Sequence, residues 1–262
     1  MSFDFPLILF SLTVFSGVVC LIDWAHEKKS PSHRKQLPTV VDYCRSFFPV
    51  LLLVFIIRSF AIQPYRVPTG SLEPTVMPGD FILVKQYRYG VRFPVWDKQF
   101  IPYSKPKRGQ IALFHDPVNW SVNFVKRVVG VPGDDISYIN KVFYINGKKM
   151  DQKYIKMGFD SGPGRTPLRV KIMQENLMGV EHRILINPSR KGTNFYHLKV
   201  PKGEYLMIGD NRDDSDDSRY WGFVPERNFI GQAFMVWMSW DVDAKWTDKI
   251  QWHRIGTHFY DA

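Results

Sequence analysis

Residues 5–22, FPLILFSLTVFSGVVCLI, form a run of eighteen without a charged side chain. A helix rises about 1.5 Å per residue, so such a run spans about 27 Å, close to a bilayer core. Asp4 precedes it and Asp23 follows. A cleaved leader starts with basic residues and leaves through small ones. This run leaves into Asp23 and Trp24, which reads as an uncleaved span. A shorter apolar run, SFFPVLLLVFII (46–57), sits between Arg45 and Arg58. Beside a first span it reads as a second one over 46–62, with Arg58 snorkelling to the interface.

The linking stretch, 25–45, carries Lys28, Lys29, Arg34, Lys35 and Arg45, whereas no Lys or Arg precedes the first run. The positive-inside rule therefore puts 25–45 in the cytoplasm, and the N-terminus and everything beyond 62 on the outer side. Segment 1–24 is then the first span. The formal charge of +10 is spread along the chain rather than gathered in one tract, so nucleic acid is not the expected partner. The two cysteines, Cys20 and Cys44, leave 45–262 without any, so neither a disulfide nor a zinc cluster is expected there.

Beyond residue 62 the pattern is β. Runs such as DFILVKQYRYG, GQIALFH, NFVKRVVGV, VFYINGKKM, GEYLMIGD and QAFMVWMSW are separated by Gly, Pro, Asn and Asp. The Asn-Gly pair of YINGKK predicts a hairpin. The fold class is mainly β: antiparallel sheets preceded by two transmembrane helices. Residues 150–200 are more polar and irregular, as in DSGPGRTP and NPSRKGTN. This shift in composition suggests a subdomain inserted between two parts of one core.

Three stretches hold candidate chemistry. In VPTGSLEPTVMPGD (67–80), Pro68 and Pro74 restrict the backbone around Ser71 and Gly70 frees it. This is either a plain turn or an exposed nucleophile, with the Ser71 N–H and the Thr69 hydroxyl as local oxyanion donors. In NFVKRVVGVPGD, strand periodicity puts Lys126 on one face with Phe124 and Val128. Burial there would lower its pKa toward that of a general base, while an edge-strand lysine would only keep the sheet soluble. GDNRDDSDDSRYWGFVP (209–225) lacks the Gly and Glu of a calcium loop, so no metal is expected. It reads as a structural loop whose carboxylates cap backbone N–H groups and pair with Arg212 and Arg219. None of the seven histidines stands in a catalytic context.

Taken in order after two spans, these stretches resemble bacterial type I signal peptidase, the leader peptidase family, from about Phe47 to Ala233. RSFAIQPYRVPTGSLEPT is similar to the family's nucleophile segment, FVKRVVGVPGD to its lysine segment, and 209–225 to its third box. The resemblance implies a membrane-bound serine endopeptidase with a Ser–Lys dyad and no cofactor. Its implied fold is a mostly antiparallel β core, 63–134 and 202–262, with a smaller β-rich subdomain inserted at 135–201. Carried over by position, Ser71 is the nucleophile and Lys126 the general base. Thr69 assists Ser71 in the oxyanion hole, Ser215 orients the lysine, and Asp217 and Arg219 support the site. Val67, Pro68, Leu72, Val76 and Val125 fall where the family lines its small S1 and S3 pockets. The family usually has Met after the nucleophile; here it is Leu72. The implied substrates are exported preproteins, cut after an Ala-x-Ala pattern at the outer face of the bacterial cytoplasmic membrane. The bilayer surface and the export translocon are the partners this location suggests. Trp237, Trp240 and Trp246, with Phe81 and Phe93, are candidates for contact with the bilayer surface.

Overall fold

The computed structural model describes residues 5–29, 38–92, 99–160, 162, 166–241, 244 and 246–259. Helix α1 (Phe5–Lys29) and helix α2 (Thr39–Ile56) are both long and apolar enough to cross a membrane. Ser11, Thr13 and Ser16 donate their hydroxyls to the Leu7, Leu9 and Leu12 carbonyls one turn back, so no polar group of these side chains needs water. The helices pack on each other: Phe10 meets Phe55 at 5.7 Å between ring centres, and Gly17 leaves the space that the Phe48 ring fills. Near the linking stretch, Arg45 pairs with Asp23 (2.6 Å) and Glu27 (2.8 Å). Leu12, Phe15, Val18 and Leu21 of α1 and Phe47, Val50, Leu53 and Ile56 of α2 remain exposed. That is a surface for lipid, not for water. A π-helical turn, Ile57–Ala61, leads from α2 into the sheet region.

Sixteen strands follow among the described residues: β1 (Ile62–Arg66), β2 (Asp80–Lys85), β3 (Gly90–Arg92), β4 (Gln99–Pro102), β5 (Ile111–His115), β6 (Asn123–Gly130), β7 (Asp135–Ile139) and β8 (Val142–Ile145) make up the first half. The second half is β9 (Lys148–Lys149), β10 (Asp151–Asp160), β11 (Leu168–Leu177), β12 (Val180–Ile186), β13 (Phe195–Lys199), β14 (Glu204–Ile208), β15 (Val224–Pro225) and β16 (Phe229–Ser239). The main sheet is antiparallel, in the order β1-β2-β16-β5-β6-β14-β15. β6 and β14 are neighbours in it, although 73 residues of chain, 131–203, separate them. The strands of that stretch form two smaller sheets, β13-β7-β8-β9 and β10-β11-β12. The mainly β architecture behind two apolar helices is thus the one expected from the strand-like runs.

Local chemistry explains the turns. Asn146 and Gly147 both have positive φ (51° and 77°), the requirement of the tight hairpin turn that joins β8 to β9. Alternation in β2 buries Asp80, Ile82 and Val84 against β16. The apolar core has three parts. One lies between β2, β5, β16 and the turn after β1, one around Phe114, Tyr205 and Phe229, and one joins β6 and β14 to the inserted strands through Val129, Ile136, Phe143 and Leu206.

Candidate active site

Ser71 owes its position to what lies on either side of it. β1 runs on through Val67, whose N–H donates to the Asp80 carbonyl (2.8 Å) and whose carbonyl accepts from Gly79 (2.9 Å). The chain then closes a tight turn. Glu73 N–H donates to the Gly70 carbonyl (3.0 Å), and Thr75 and Val76 donate to the Leu72 carbonyl (2.9 and 3.0 Å). Leu72 and Val76 are the anchors, fully buried with Val67, Ile82 and Val84. Ser71, between a buried glycine and a buried leucine, is left half-exposed. The Thr69 hydroxyl lies 3.4 Å from Ser71 Oγ.

Lys126 lies on β6, paired with Ala112 of β5. Phe124 and Val128 share its face, and its ammonium nitrogen is 5.7 Å from the centre of the Phe124 ring. Only 3% of the residue is exposed. Burial pulls its pKa down from 10.5 to about 8, against the opposing attraction of Asp217, Asp216 and Asp210. Lys126 Nζ donates to Ser215 Oγ at 3.1 Å.

Ser215 is held by the loop after β14. Asp217 accepts from Gly209 N–H (3.0 Å) and from both the Nε and Nη2 of Arg219 (2.8 and 2.7 Å). Burial alone would push the Asp217 carboxyl up; the Arg219 guanidinium and Gly209 N–H hold it below the usual range. Asp217 also caps a four-residue helix, α3 (Ser218–Trp221), which Ser218 ties to β14 by accepting from Met207 N–H (2.9 Å). Asn211 N–H donates to the Ser71 carbonyl (3.1 Å), and its side chain to the Gly70 carbonyl (3.3 Å). Gly209 is indispensable to this junction, because a Cβ there would run into both the Ser215 side chain and the Ser71 carbonyl. The third sequence box thus clamps the turn that presents Ser71.

These elements enclose one open cleft of about 650 Å³. Its walls include Ser71, Thr69, Lys126 and Ser215, together with Val67, Pro68 and Val125. The family described as signal peptidase, peptidase S26, matches residues 40–240. The chain belongs to this signal peptidase family. It is 38% identical to signal peptidase I of Pseudomonas aeruginosa, with 98% of this chain and 99% of that protein covered. Signal peptidase I of Pseudomonas fluorescens is 39% identical over 92% of this chain and 94% of its own length. That of Buchnera aphidicola from Acyrthosiphon pisum is 39% identical over 81% and 80%. Membership in the signal peptidase family makes the chain a serine peptidase, a hydrolase of peptide bonds.

Two residues expected on the pocket wall lie elsewhere. Leu72 and Val76 sit in the core beneath the turn and do not line the cleft. Their burial is what orients Ser71 outward, so the side chain after the serine acts on packing. Tyr65, Phe124, Tyr220 and Arg190 line the cleft instead without having been singled out. Arg212, expected to pair within its own loop, pairs with Glu175 of β11. Arg127, on the strand face opposite Lys126, pairs with Asp210 (2.8 and 2.7 Å), which also accepts from Thr75 (2.6 Å). A charge flanked by Val125 and Val129 on a buried face was the available signal that a carboxylate must meet it. His182 is buried beside Glu175 and Asp210. Among the described residues no group of three His, Cys, Asp or Glu is placed to hold a metal ion. Phe81 and Trp237 form an edge-on pair at 6.1 Å, with Trp237 exposed. Phe93 and the Trp246 side chain lie outside the described residues.

Proposed function

We propose that this membrane-anchored peptidase removes signal peptides from exported preproteins, with Ser71 as nucleophile and Lys126 as general base. The observation that carries the assignment is a lysine nearly excluded from water, hydrogen-bonded to Ser215, in the same cleft as a half-exposed serine. A buried amine with a pKa near 8 is neutral often enough at physiological pH to accept a proton.

In acylation, Ser71 Oγ attacks the carbonyl carbon of the scissile bond while its proton passes to Lys126 Nζ. The oxyanion lies against the Ser71 N–H and the Thr69 hydroxyl. The C–N bond breaks, and the Lys126 ammonium protonates the departing amine. Water, deprotonated by Lys126, then attacks the acyl-enzyme. The returning proton goes to Ser71 Oγ as the signal peptide leaves with a free carboxylate. Ser215 and the Asp217–Arg219 pair keep the lysine in line. Val67, Pro68 and Val125 supply apolar wall to the cleft, which suits small P1 and P3 residues of the Ala-x-Ala kind. The bilayer confines enzyme and substrate to one plane and so raises their effective concentration.

The test is cleavage of a preprotein with an Ala-x-Ala site in detergent micelles. The wild type is expected to cut after the second Ala. Ser71→Ala and Lys126→Ala should lose turnover at unchanged melting temperature. Full activity in either variant would remove the dyad assignment, and cleavage at large P1 residues would remove the specificity.

A further inference from the structure

Five buried ionisable side chains join the Ser215 loop to the inserted strands. Arg127 of β6 pairs with Asp210 at the start of the loop. His182 of β12 brings Nε2 to 3.8 Å from Asp210 Oδ1 and 3.3 Å from Glu175 Oε2. Glu175 of β11 accepts from Arg212 Nη1 (3.0 Å) and Nη2. Gln152 of β10 donates to Glu175 Oε1 (2.9 Å) and to the Lys141 carbonyl (3.0 Å). Glu175 and Asp210 are at most 1% exposed, as is Arg212. The backbone follows the side chains: Leu185 N–H of β12 donates to the Asp210 carbonyl (2.9 Å), and Arg212 N–H returns to the Leu185 carbonyl (3.0 Å). The loop therefore continues the inserted sheet as a short parallel bridge.

Burying so much charge is a poor route to stability alone, since apolar side chains of equal volume serve at least as well. A two-pronged guanidinium–carboxylate pair does supply direction, fixing both partners in one plane. Here that direction falls on Arg212, three residues before Ser215. We propose that Glu175 is a positioning residue for the peptidase reaction: through Arg212 it fixes the 209–217 loop, and with it the place of Ser215 Oγ against Lys126 Nζ. The inserted subdomain thus takes part in turnover without touching substrate. This rests on Lys126 being the base.

The electrostatic surroundings separate positioning from a direct field effect. The charges acting on Lys126 are Asp217, Asp216, Arg219 and Asp210. Glu175 faces Arg212 and His182, with Asp210, Arg127 and Tyr138 next to them. Burial and the nearby Arg127 hold His182 below its ordinary range, so it is neutral at neutral pH. The network then balances two guanidiniums against two carboxylates. Glu175 is not among the charges that weigh most on Lys126, so a large change there on altering Glu175 reports movement of the loop.

The full-length enzyme in detergent is assayed for kcat, KM and the pH dependence of kcat/KM, in parallel with thermal unfolding. Glu175→Gln is expected to lower kcat about tenfold or more with KM within about twofold, the signature of a lost transition-state alignment. Its acid limb should move up by about half a pH unit or more, because a lysine released from Ser215 regains water. Glu175→Asp should recover part of both changes. Gln152→Ala leaves the ion pair intact and should show the same displacement in smaller measure; it decides the matter if Glu175→Gln does not fold. A wild-type kcat and acid limb in these variants, even at a lowered melting temperature, overturns the proposal. Lys126→Ala is run alongside. If Lys126→Ala is inactive while the Glu175→Gln limb stays put, the positioning role alone fails; if Lys126→Ala is active, the base assignment fails and the positioning role with it.

Discussion

Lys126 is the residue whose environment makes the most direct physical demand. Burial, opposed by three carboxylates, brings its pKa from 10.5 to about 8. For the proposed Lys126 base the neutral amine is the working form, so kcat/KM should rise with pH through an acid limb near 8. Below that limb it should fall about tenfold per pH unit. The fold responds in the same sense. Between pH 8 and 10.5 the unfolded chain, with an ordinary lysine, binds more protons than the native one. Stability must therefore rise with pH across this window, by up to about 3 kcal/mol from this group. A pH profile of peptide cleavage and urea unfolding at pH 8 and 10 check the two halves. An acid limb below pH 6 would mean that Lys126 is not the group being titrated. Ser71 makes the opposite kind of demand: it needs no perturbed environment, only a turn rigid enough to keep Oγ at the cleft.

The elements around these residues divide into those legible in the sequence and those that tertiary structure decided. Period-two alternation in β6 was enough to put Lys126 beside Phe124, and Asn146-Gly147 was enough to close a hairpin. The direction of the turn after β1 was not readable. Which of Ser71, Leu72 and Val76 points outward depends on a core assembled from β2 together with β5 and β16, which lie much farther along the chain. That is why Leu72, expected on the pocket wall, lies in the core. Arg127 was equally opaque, because its carboxylate lies 83 residues away among several similar aspartates. Two substitutions measure the difference. Leu72→Met conserves volume and should cost under about 1.5 kcal/mol, with P1 preference unchanged. Arg127→Leu strands Asp210, buried and without its guanidinium, and should cost about 3–5 kcal/mol. Thermal and urea unfolding in detergent rank the two. A Leu72→Met variant that accepts larger P1 residues would return the side chain to the pocket wall.

At the scale of the whole molecule, the helical hairpin and the β body must agree on which side of the membrane each lies. α1 and α2 expose apolar side chains along most of their length, whereas Asp23, Glu27 and Arg45 meet at the end next to the linking stretch. A cluster of that kind belongs at an interface, not in hydrocarbon. Lys28 and Lys29 follow it immediately, while the other end of α1 offers no basic residue. By the positive-inside rule we propose that the linking stretch lies in the cytoplasm and the cleft on the outer side, where exported chains emerge. The +10 net charge does not oppose this, because a large domain translocates regardless of its lysines and arginines. Single cysteines test it in a background where Cys20 and Cys44 are alanine. In intact bacterial spheroplasts a membrane-impermeant maleimide should label a Lys148→Cys variant, since Lys148 is exposed on the inserted sheet. It should leave Lys28→Cys unlabelled until the membrane is lysed. The reverse pattern would put the cleft in the cytoplasm, on the wrong side of the membrane for a preprotein that has already crossed.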